Sequence, residues 1–186
     1  MSDMTPITAL GGRSPRVDTH FGVTLTENTN TALASFAARL GSEKKAREVL
    51  AKALGCDLPG PGQVIFGTFD AVWMGPHQWM IVAPHDTHEL LASELSDAAG
   101  VSASITEQND AWCRFDLSGK RLVSVFELLC SVPLRDWTGG EATRTSIDHL
   151  GCFVICKDVE SVTVLGPRSS AGSLHHALLT SMKAAL

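Results

Sequence analysis

The sequence predicts an α+β fold made of two duplicated split β-α-β halves of the ferredoxin-like kind, with helices packed on one face of a largely antiparallel sheet. Three observations point there. The order strand, helix, strand, strand, helix can be read twice along the chain. A strand that passes through proline and a polar turn into a helix also occurs twice: laying "WMIVAPHDTHELLASEL" over "VTVLGPRSSAGSLHHAL" brings Pro84 against Pro167. Laying "VTLTENTNTALASFAARL" over "CRFDLSGKRLVSVFELLC" brings Phe36 against Phe126, at an offset that differs by a few residues, as unequal loops require.

Residues 1–20 carry prolines, glycines, Arg13 and Arg16 without periodicity and read as an extended N-terminal arm. Residues 21–186 then read as a single domain holding pseudo-repeats over about 21–100 and 101–186. "FGVTLTEN" alternates as a strand. Asn28 or Asn30 is placed to cap a helix with Leu33, Phe36, Ala37 and Leu40 at helical spacing. A second helix follows, with Ser42 as N-cap, Ala46, Val49, Leu50, Ala53 and Leu54 as its apolar stripe, and Gly55 as its end.

"VIFGTFDAVWMG" and "QWMIVAP" read as strands joined at Gly75-Pro76-His77. In "HDTHELLASELSDAAG", Asp86 and Glu89 suggest a capping box, with Leu91, Leu95 and Ala98 near one face. Two strands flank Gln108-Asn109-Asp110. Ser118 then caps a helix with Leu122, Val125, Phe126 and Leu129 inward, and "TRTSIDHLGCFVICK" and "SVTVLG" supply the last strands before the closing helix.

Length and charge narrow the function classes. A chain of 186 residues is long enough for one well-cored domain and too short for a large two-domain enzyme with its own dinucleotide fold. Fifteen basic residues against twenty acidic ones, scattered rather than gathered, give a net charge of −5, which does not favour nucleic acid. No apolar run approaches the ~20 residues that span a bilayer, and the first residues lack a signal-peptide core, so a cytoplasmic location is expected. The five cysteines include no C-x-x-C pair. Cys152 and Cys156 would lie ~13 Å apart along one strand face, too far to share a metal, so buried free thiols are expected.

Chemistry-bearing residues gather at the last strand-to-helix corner. Arg168, Ser169 and Ser170 could hold an anion at the helix start or meet a neighbouring subunit; alternatively Ser169 or Ser170 simply caps the helix. In the first half the equivalent corner reads Pro84-His85-Asp86-Thr87, with no arginine. His175 falls at the border of the closing helix's apolar face and His176 well away from it, so they cannot act together. Asp148-His149 reads as a polar pair at a strand turn. Trp73, Trp79, Trp112 and Trp137 read as core edge or protein interface, although they could line a pocket for a flat ligand. There is no G-x-S-x-G elbow, dinucleotide fingerprint, H-E-x-x-H or EF-hand loop, hence no complete catalytic set.

Taken together, "ITALGG", "GVTLTEN", "LPGPGQ", "MGPHQWMIVAP", "SITEQNDAWCRFDLSG", "ELLCSVPLR", "ATRTSIDHLGCFVI" and "TVLGPRSSAGSLHHAL" resemble the gamma subunit of heterotetrameric sarcosine oxidase over nearly the whole chain. That family is related in fold to the aminomethyltransferase and YgfZ-type folate-binding domains. The resemblance implies a non-catalytic structural subunit of a complex that oxidatively demethylates sarcosine to glycine, with hydrogen peroxide and formaldehyde or 5,10-methylenetetrahydrofolate as co-products. It implies no cofactor in this chain, with FAD, FMN, NAD, tetrahydrofolate and zinc carried by alpha, beta and delta partner subunits. The K-G-C-Y-x-G-Q-E motif of the YgfZ-type relatives is reduced here to Gly151-Cys152-Phe153. The alternative is a stand-alone folate-binding or aminomethyltransferase-like protein.

Overall fold

A computed structural model describes residues 6–186, so the first five residues of the expected arm lie outside the described residues. In chain order the first half contains strands β1 (Val17–His20), β2 (Val23–Asn28) and β3 (Ala32–Ala38), helix α1 (Glu43–Leu54), strands β4 (Val64–Ile65), β5 (Asp70–Gly75) and β6 (Gln78–Ala83), and helix α2 (Leu91–Ala99). The second half contains β7 (Ala103–Glu107), β8 (Trp112–Ser118), α3 (Leu122–Leu129), β9 (Ala142–Ile147), β10 (Leu150–Asp158), β11 (Ser161–Pro167) and α4 (Ala171–Ala185). The architecture is mixed α+β with two antiparallel sheets and four helices, the predicted class.

Contacts divide the chain into two units that do not follow sequence order. One holds the described residues up to Thr29 together with Asp110–Leu186; the other holds Asn30–Asn109. In the second of these the sheet order is β4-β5-β6-β3-β7, and in the first it is β1-β2-β8-β11-β10-β9. Read from the other edge, β9-β10-β11-β8-β2 repeats β4-β5-β6-β3-β7 strand for strand. The duplication is therefore real, but β2, from the start of the chain, fills the place that β7 fills in its own unit. A repeat boundary near residue 100 would cut β7 away from β3, with which it pairs from Ala34↔Glu107 to Ala38↔Ala103.

Each sheet packs one face on its own helices. Ala32, Ala34, Phe36, Ala71, Trp79 and Ile81 meet Ala46 and Leu50 of α1 and Leu91, Leu95 and Ala99 of α2. In the other unit Val23, Leu25, Phe115, Leu117, Val154 and Val164 meet Leu122, Val125 and Phe126 of α3 and Leu174, Leu178 and Met182 of α4. Strands β2 and β8 alternate buried and half-buried residues, as one-sided pairing requires.

The helix expected over Leu33, Phe36, Ala37 and Leu40 is instead β3, paired on both sides with β6 and β7. Leu33 is buried on one face while Ala32, Ala34 and Phe36 are buried on the other, so the run is apolar without showing a period of two. Leu40, expected inward, is 98% exposed. The superposition of Phe36 on Phe126 fails for the same reason: one lies in a strand, the other in a helix.

Of the expected caps, two lie off their helices and two hold the N-cap position without a side-chain capping bond. Ser42 stands at the start of α1, but its side chain makes no capping bond; the Glu43 carboxylate instead accepts from the Gly41 N–H at 3.0 Å. Asp86 and Glu89 precede α2, which starts at Leu91, and the Asp86 N–H donates to Asn30 Oδ1. Ser118 is the last residue of β8, and α3 begins four residues past it, at Leu122. The serines before α4 are described with the site below.

The arm expected over residues 1–20 is only partly extended. Thr8 to Gly12 close a turn, and Val17–His20 pair with β2 across the Phe21-Gly22 hairpin. Both hairpin residues have positive φ, 42° and 82°, as a two-residue connection of the primed type requires.

Candidate functional site

Of the residues singled out by the sequence, Arg168, Ser169, Ser170 and His175 lie at the start of α4 beside the N-terminal segment that carries Arg16, whereas Asp148 and His149 form the β9–β10 turn. Glu27, on β2, points its carboxylate inward and is 2% exposed. Its two oxygens accept from the backbone N–H groups of Leu10 (2.9 Å) and Arg16 (3.1 Å), while its own N–H donates to the Arg16 carbonyl at 2.8 Å. A buried carboxylate is stabilised by such donors, and here those donors belong to the segment it holds. Ala9 and Leu10 pack against the core beneath it. Residues 7–20 thus form a strap across this unit.

A second attachment joins the strap to α4. Arg16 donates twice to Asp18, Nε at 2.9 Å and Nη2 at 3.1 Å, and His175 Nε2 donates to the same carboxylate at 2.8 Å. His175 is 6% exposed and lies against the Phe115 ring, 5.8 Å between centroids. The sequence placed this histidine at the border of the apolar face. Its partner lies at the other end of the chain, beyond any local pattern. The pair has the orienting half of a catalytic triad, yet the imidazole's other face is packed on an aromatic ring, so the arrangement is that of a buried histidine satisfied by one acid.

The hydrogen bond from Arg16, followed by that from His175, outweighs burial and holds the Asp18 carboxyl below its ordinary value of 3.8. A carboxyl depressed by folding contributes stability that is complete above the ordinary value and is lost as pH falls through the lower folded value. Trypsin cleavage after Arg13 is therefore expected to stay slow at pH 7 and 5. In a separate assay with an acid protease, strap cleavage should accelerate below about pH 4, whereas Asp18→Asn should be cleaved faster than wild type above that pH, with the difference closing below it. A wild-type profile identical to that of the variant would remove Asp18 from the attachment.

Arg168, Ser169 and Ser170 form one turn of 3-10 helix between β11 and α4. The Arg168 N–H donates to the Ala111 carbonyl at 3.0 Å. Its guanidinium reaches the Ile7 carbonyl of the strap at 3.4 Å and Asp110 at 3.7 Å. Ser170 is the N-cap residue of α4, as one reading of these serines had it, but its side chain makes no capping bond. The corner holds its arginine by contacts within the chain.

A separate polar cluster lies on the opposite face of the same sheet. Asp116 on β8 accepts from Asn28 Nδ2 (2.7 Å), Arg114 Nε (2.8 Å) and Thr163 Oγ1 (2.6 Å), tying three adjacent strands together. Farther along, the Arg144 guanidinium lies 5.9 Å over Phe153, whose ring meets Trp112 edge-on. Trp73, Trp112 and Trp137 are half-buried, as residues at a core edge are, and Trp79 is fully buried. Trp79 is core, its indole N–H donating to the Pro59 carbonyl at 3.0 Å.

The cysteines are free thiols, as read from the sequence, and no group of three metal-ligating side chains occurs among the described residues. Burial lifts the thiols of Cys113 and Cys156 to about 11 and that of Cys152 to about 12. Thiolates are the reactive form, so these three are expected to be inert in the folded protein. A disulfide reagent at pH 8 should label exposed Cys56 first, with Cys113, Cys152 and Cys156 reacting only in denaturant. Rapid labelling of any of those three without denaturant would contradict the packing described. No helix among the described residues is long and apolar enough to cross a membrane.

No protein-family model and no curated protein matches the sequence. Solved structures do. The fold matches one chain of the heterotetrameric sarcosine oxidase from Corynebacterium sp. U-96, in complex with pyrrole 2-carboxylate, with a TM-score of 0.78 and 23% identity over 90% of this chain and 87% of that one. It also matches the glycine cleavage system aminomethyltransferase T from Bartonella henselae, with a TM-score of 0.69 and 17% identity over 85% of this chain and 45% of that one. This chain thus spans under half of the aminomethyltransferase. Both likenesses establish the fold.

Proposed function

We propose that this chain is a subunit of a sarcosine oxidase heterotetramer of the gamma type, contributing structure and contact surface rather than a reaction centre. The complex would demethylate sarcosine oxidatively to glycine, giving hydrogen peroxide and either formaldehyde or 5,10-methylenetetrahydrofolate. FAD, FMN, NAD, tetrahydrofolate and zinc would be held by the alpha, beta and delta partners, in the cytoplasm. The observation that carries the reading is the nearly end-to-end match, 90% of this chain against 87% of one chain of a heterotetrameric sarcosine oxidase. A chain that corresponds to a whole subunit is expected to work as one. The use of Arg168 within the chain, on Ile7 and Asp110, adds support, since an arginine tied to its own backbone and a neighbouring acid is poorly free to take a substrate.

The test is purification of the tagged chain from its native cells grown on sarcosine, with a flavin absorbance scan and an oxygen-uptake assay on the eluate. Larger flavin-bearing chains and sarcosine-dependent oxygen uptake are expected. A colourless chain eluting alone would reject the reading. The alternative, a stand-alone folate-binding or aminomethyl-transferring protein, draws on the likeness to the aminomethyltransferase and predicts micromolar folate binding by the isolated chain.

A further inference from the structure

Helices α3 and α4 and the β9–β10 turn enclose an open groove of about 410 Å³. Its floor is apolar, made by Leu128 and Leu129 of α3 and by Ala177 and Ala184 of α4, while Asp148 and His176 line it from the turn and from α4. Leu128 is 62% exposed although it belongs to a helix whose other apolar residues face the core. Leu128 therefore presents an apolar side chain to the groove beside Leu129, Ala177 and Ala184.

The polar wall is not consumed by the fold. Among the described residues, the side chains of Asp148, His176 and Thr180 make no hydrogen bond or ion pair, whereas Ser181, deeper in, donates to the Val125 carbonyl at 2.7 Å. Asp148 and His149 form the β9–β10 turn with φ values of 48° and 66°. Two-residue turns of this kind need positive φ at both positions, which aspartate and histidine adopt more readily than most residues. The turn places Asp148 on the groove.

The groove's chemistry selects its occupant. Asp148 is the one carboxylate lining it, and no lysine or arginine lines it, so a cation is the complementary charge. Sites for small molecules enclose most of the ligand surface. Here Leu128, Asp148, His176, Thr180 and Ala184 are all exposed, which suits side chains carried on another polypeptide. Given the subunit reading above, on which this inference rests, we propose that the α3–α4 groove receives a segment of a partner subunit that presents a lysine or arginine beside an apolar residue. The cation reaches Asp148, and the apolar side chain lies on Leu128, Leu129 and Ala177.

The test uses the full chain co-expressed with the large subunits of the complex proposed above. Leu128→Asp is compatible with folding because Leu128 is exposed. Asp148→Asn removes the charge while keeping a residue that tolerates positive φ. Leu128→Asp is expected to weaken retention of the partner at least about tenfold, as loss of a central apolar contact does. Asp148→Asn should weaken it about fivefold and flatten its salt dependence, as loss of a charge pair does. Val101→Asp, an exposed apolar position in the other unit, should leave retention unchanged. A photo-crosslinker at Ala184 should mark a partner peptide containing lysine or arginine. If wild type assembles while both groove variants assemble equally well, the groove inference is overturned and the subunit reading stands. A crosslink to a second copy of this chain, or to a peptide without a basic residue, overturns it as well. If wild type fails to assemble, the subunit reading falls and the groove assignment falls with it.

Discussion

Glu27→Ala is expected to free the strap, with cleavage after Arg13 and Arg16 by trypsin accelerating at least about tenfold and the amides of Leu10 and Arg16 losing their protection from hydrogen exchange. The carboxylate is the acceptor for both of these N–H groups in a site almost closed to water. Stranding a buried donor costs about 1–3 kcal/mol, so the two together approach about 2–6 kcal/mol. The loss is capped by the docking free energy of the strap itself, because a detached strap has both N–H groups solvated. The expected result is therefore local release, with Ala9 and Leu10 leaving the core and only a modest fall in Tm for the rest. Glu27→Gln keeps one carbonyl acceptor and turns an amide N–H₂ toward the other donor, so it should fall between alanine and wild type. Unchanged proteolysis in the alanine variant would show that the strap is held elsewhere.

Gly119→Ala is expected to reduce global stability by about 3 kcal/mol or more, read as a shift in the urea midpoint. Gly119 has a φ of 137°, outside the region L side chains adopt, and an added Cβ would stand 2.4 Å from the Gly22 carbonyl oxygen and 3.0 Å from Val23 Cα. Both obstacles are backbone, so no rotamer change relieves them. They also belong to the β1–β2 hairpin, whose displacement would strip β2 from β8, beginning at Thr24↔Ser118. Gly172→Ala provides the internal contrast. It lies in the first turn of α4 with nothing within 4 Å of an added Cβ, so a gain of up to about 1 kcal/mol is expected from reduced unfolded-state freedom. Equal effects of the two substitutions would contradict the backbone described at residue 119.

The sequence was most legible where one face of an element is wet. In α1, Ala46, Leu50 and Leu54 of the expected stripe are buried, Val49 and Ala53 are half-buried, and Gly55 ends the helix in a left-handed conformation. The Pro84 and Pro167 corners both lead from strand into helix. Legibility failed in β3, where burial of both faces erased the alternation that marks a strand, and small residues such as Ala32, Ala34 and Ala37 added helical propensity. It failed again at the helix starts, because a serine or acid before an apolar run shows that a cap is available, not that it is used. At Arg168 the strand-to-helix corner was legible, but the arginine's contacts with Ile7 and Asp110 were not. What lay beyond reading was the strap: Glu27 with Leu10 and Arg16, and Asp18 with His175, are pairings set by tertiary structure, and Asp18 sits in a stretch too short and polar to declare itself a strand.

The placement of β2 beside β8 has a consequence for synthesis on the ribosome. Residues 30–109 form a contiguous stretch and can close their sheet as soon as they have emerged. β2 cannot do so: its register partners, Arg114 to Ser118, are made only after that whole unit. Until then residues 17–28 form at most a two-stranded hairpin with one open edge, and such hairpins are marginal in water. The nascent chain thus carries an unsatisfied strand throughout translation of the intervening unit. That is the interval in which holdase chaperones, or pairing with another nascent chain, would compete with correct folding.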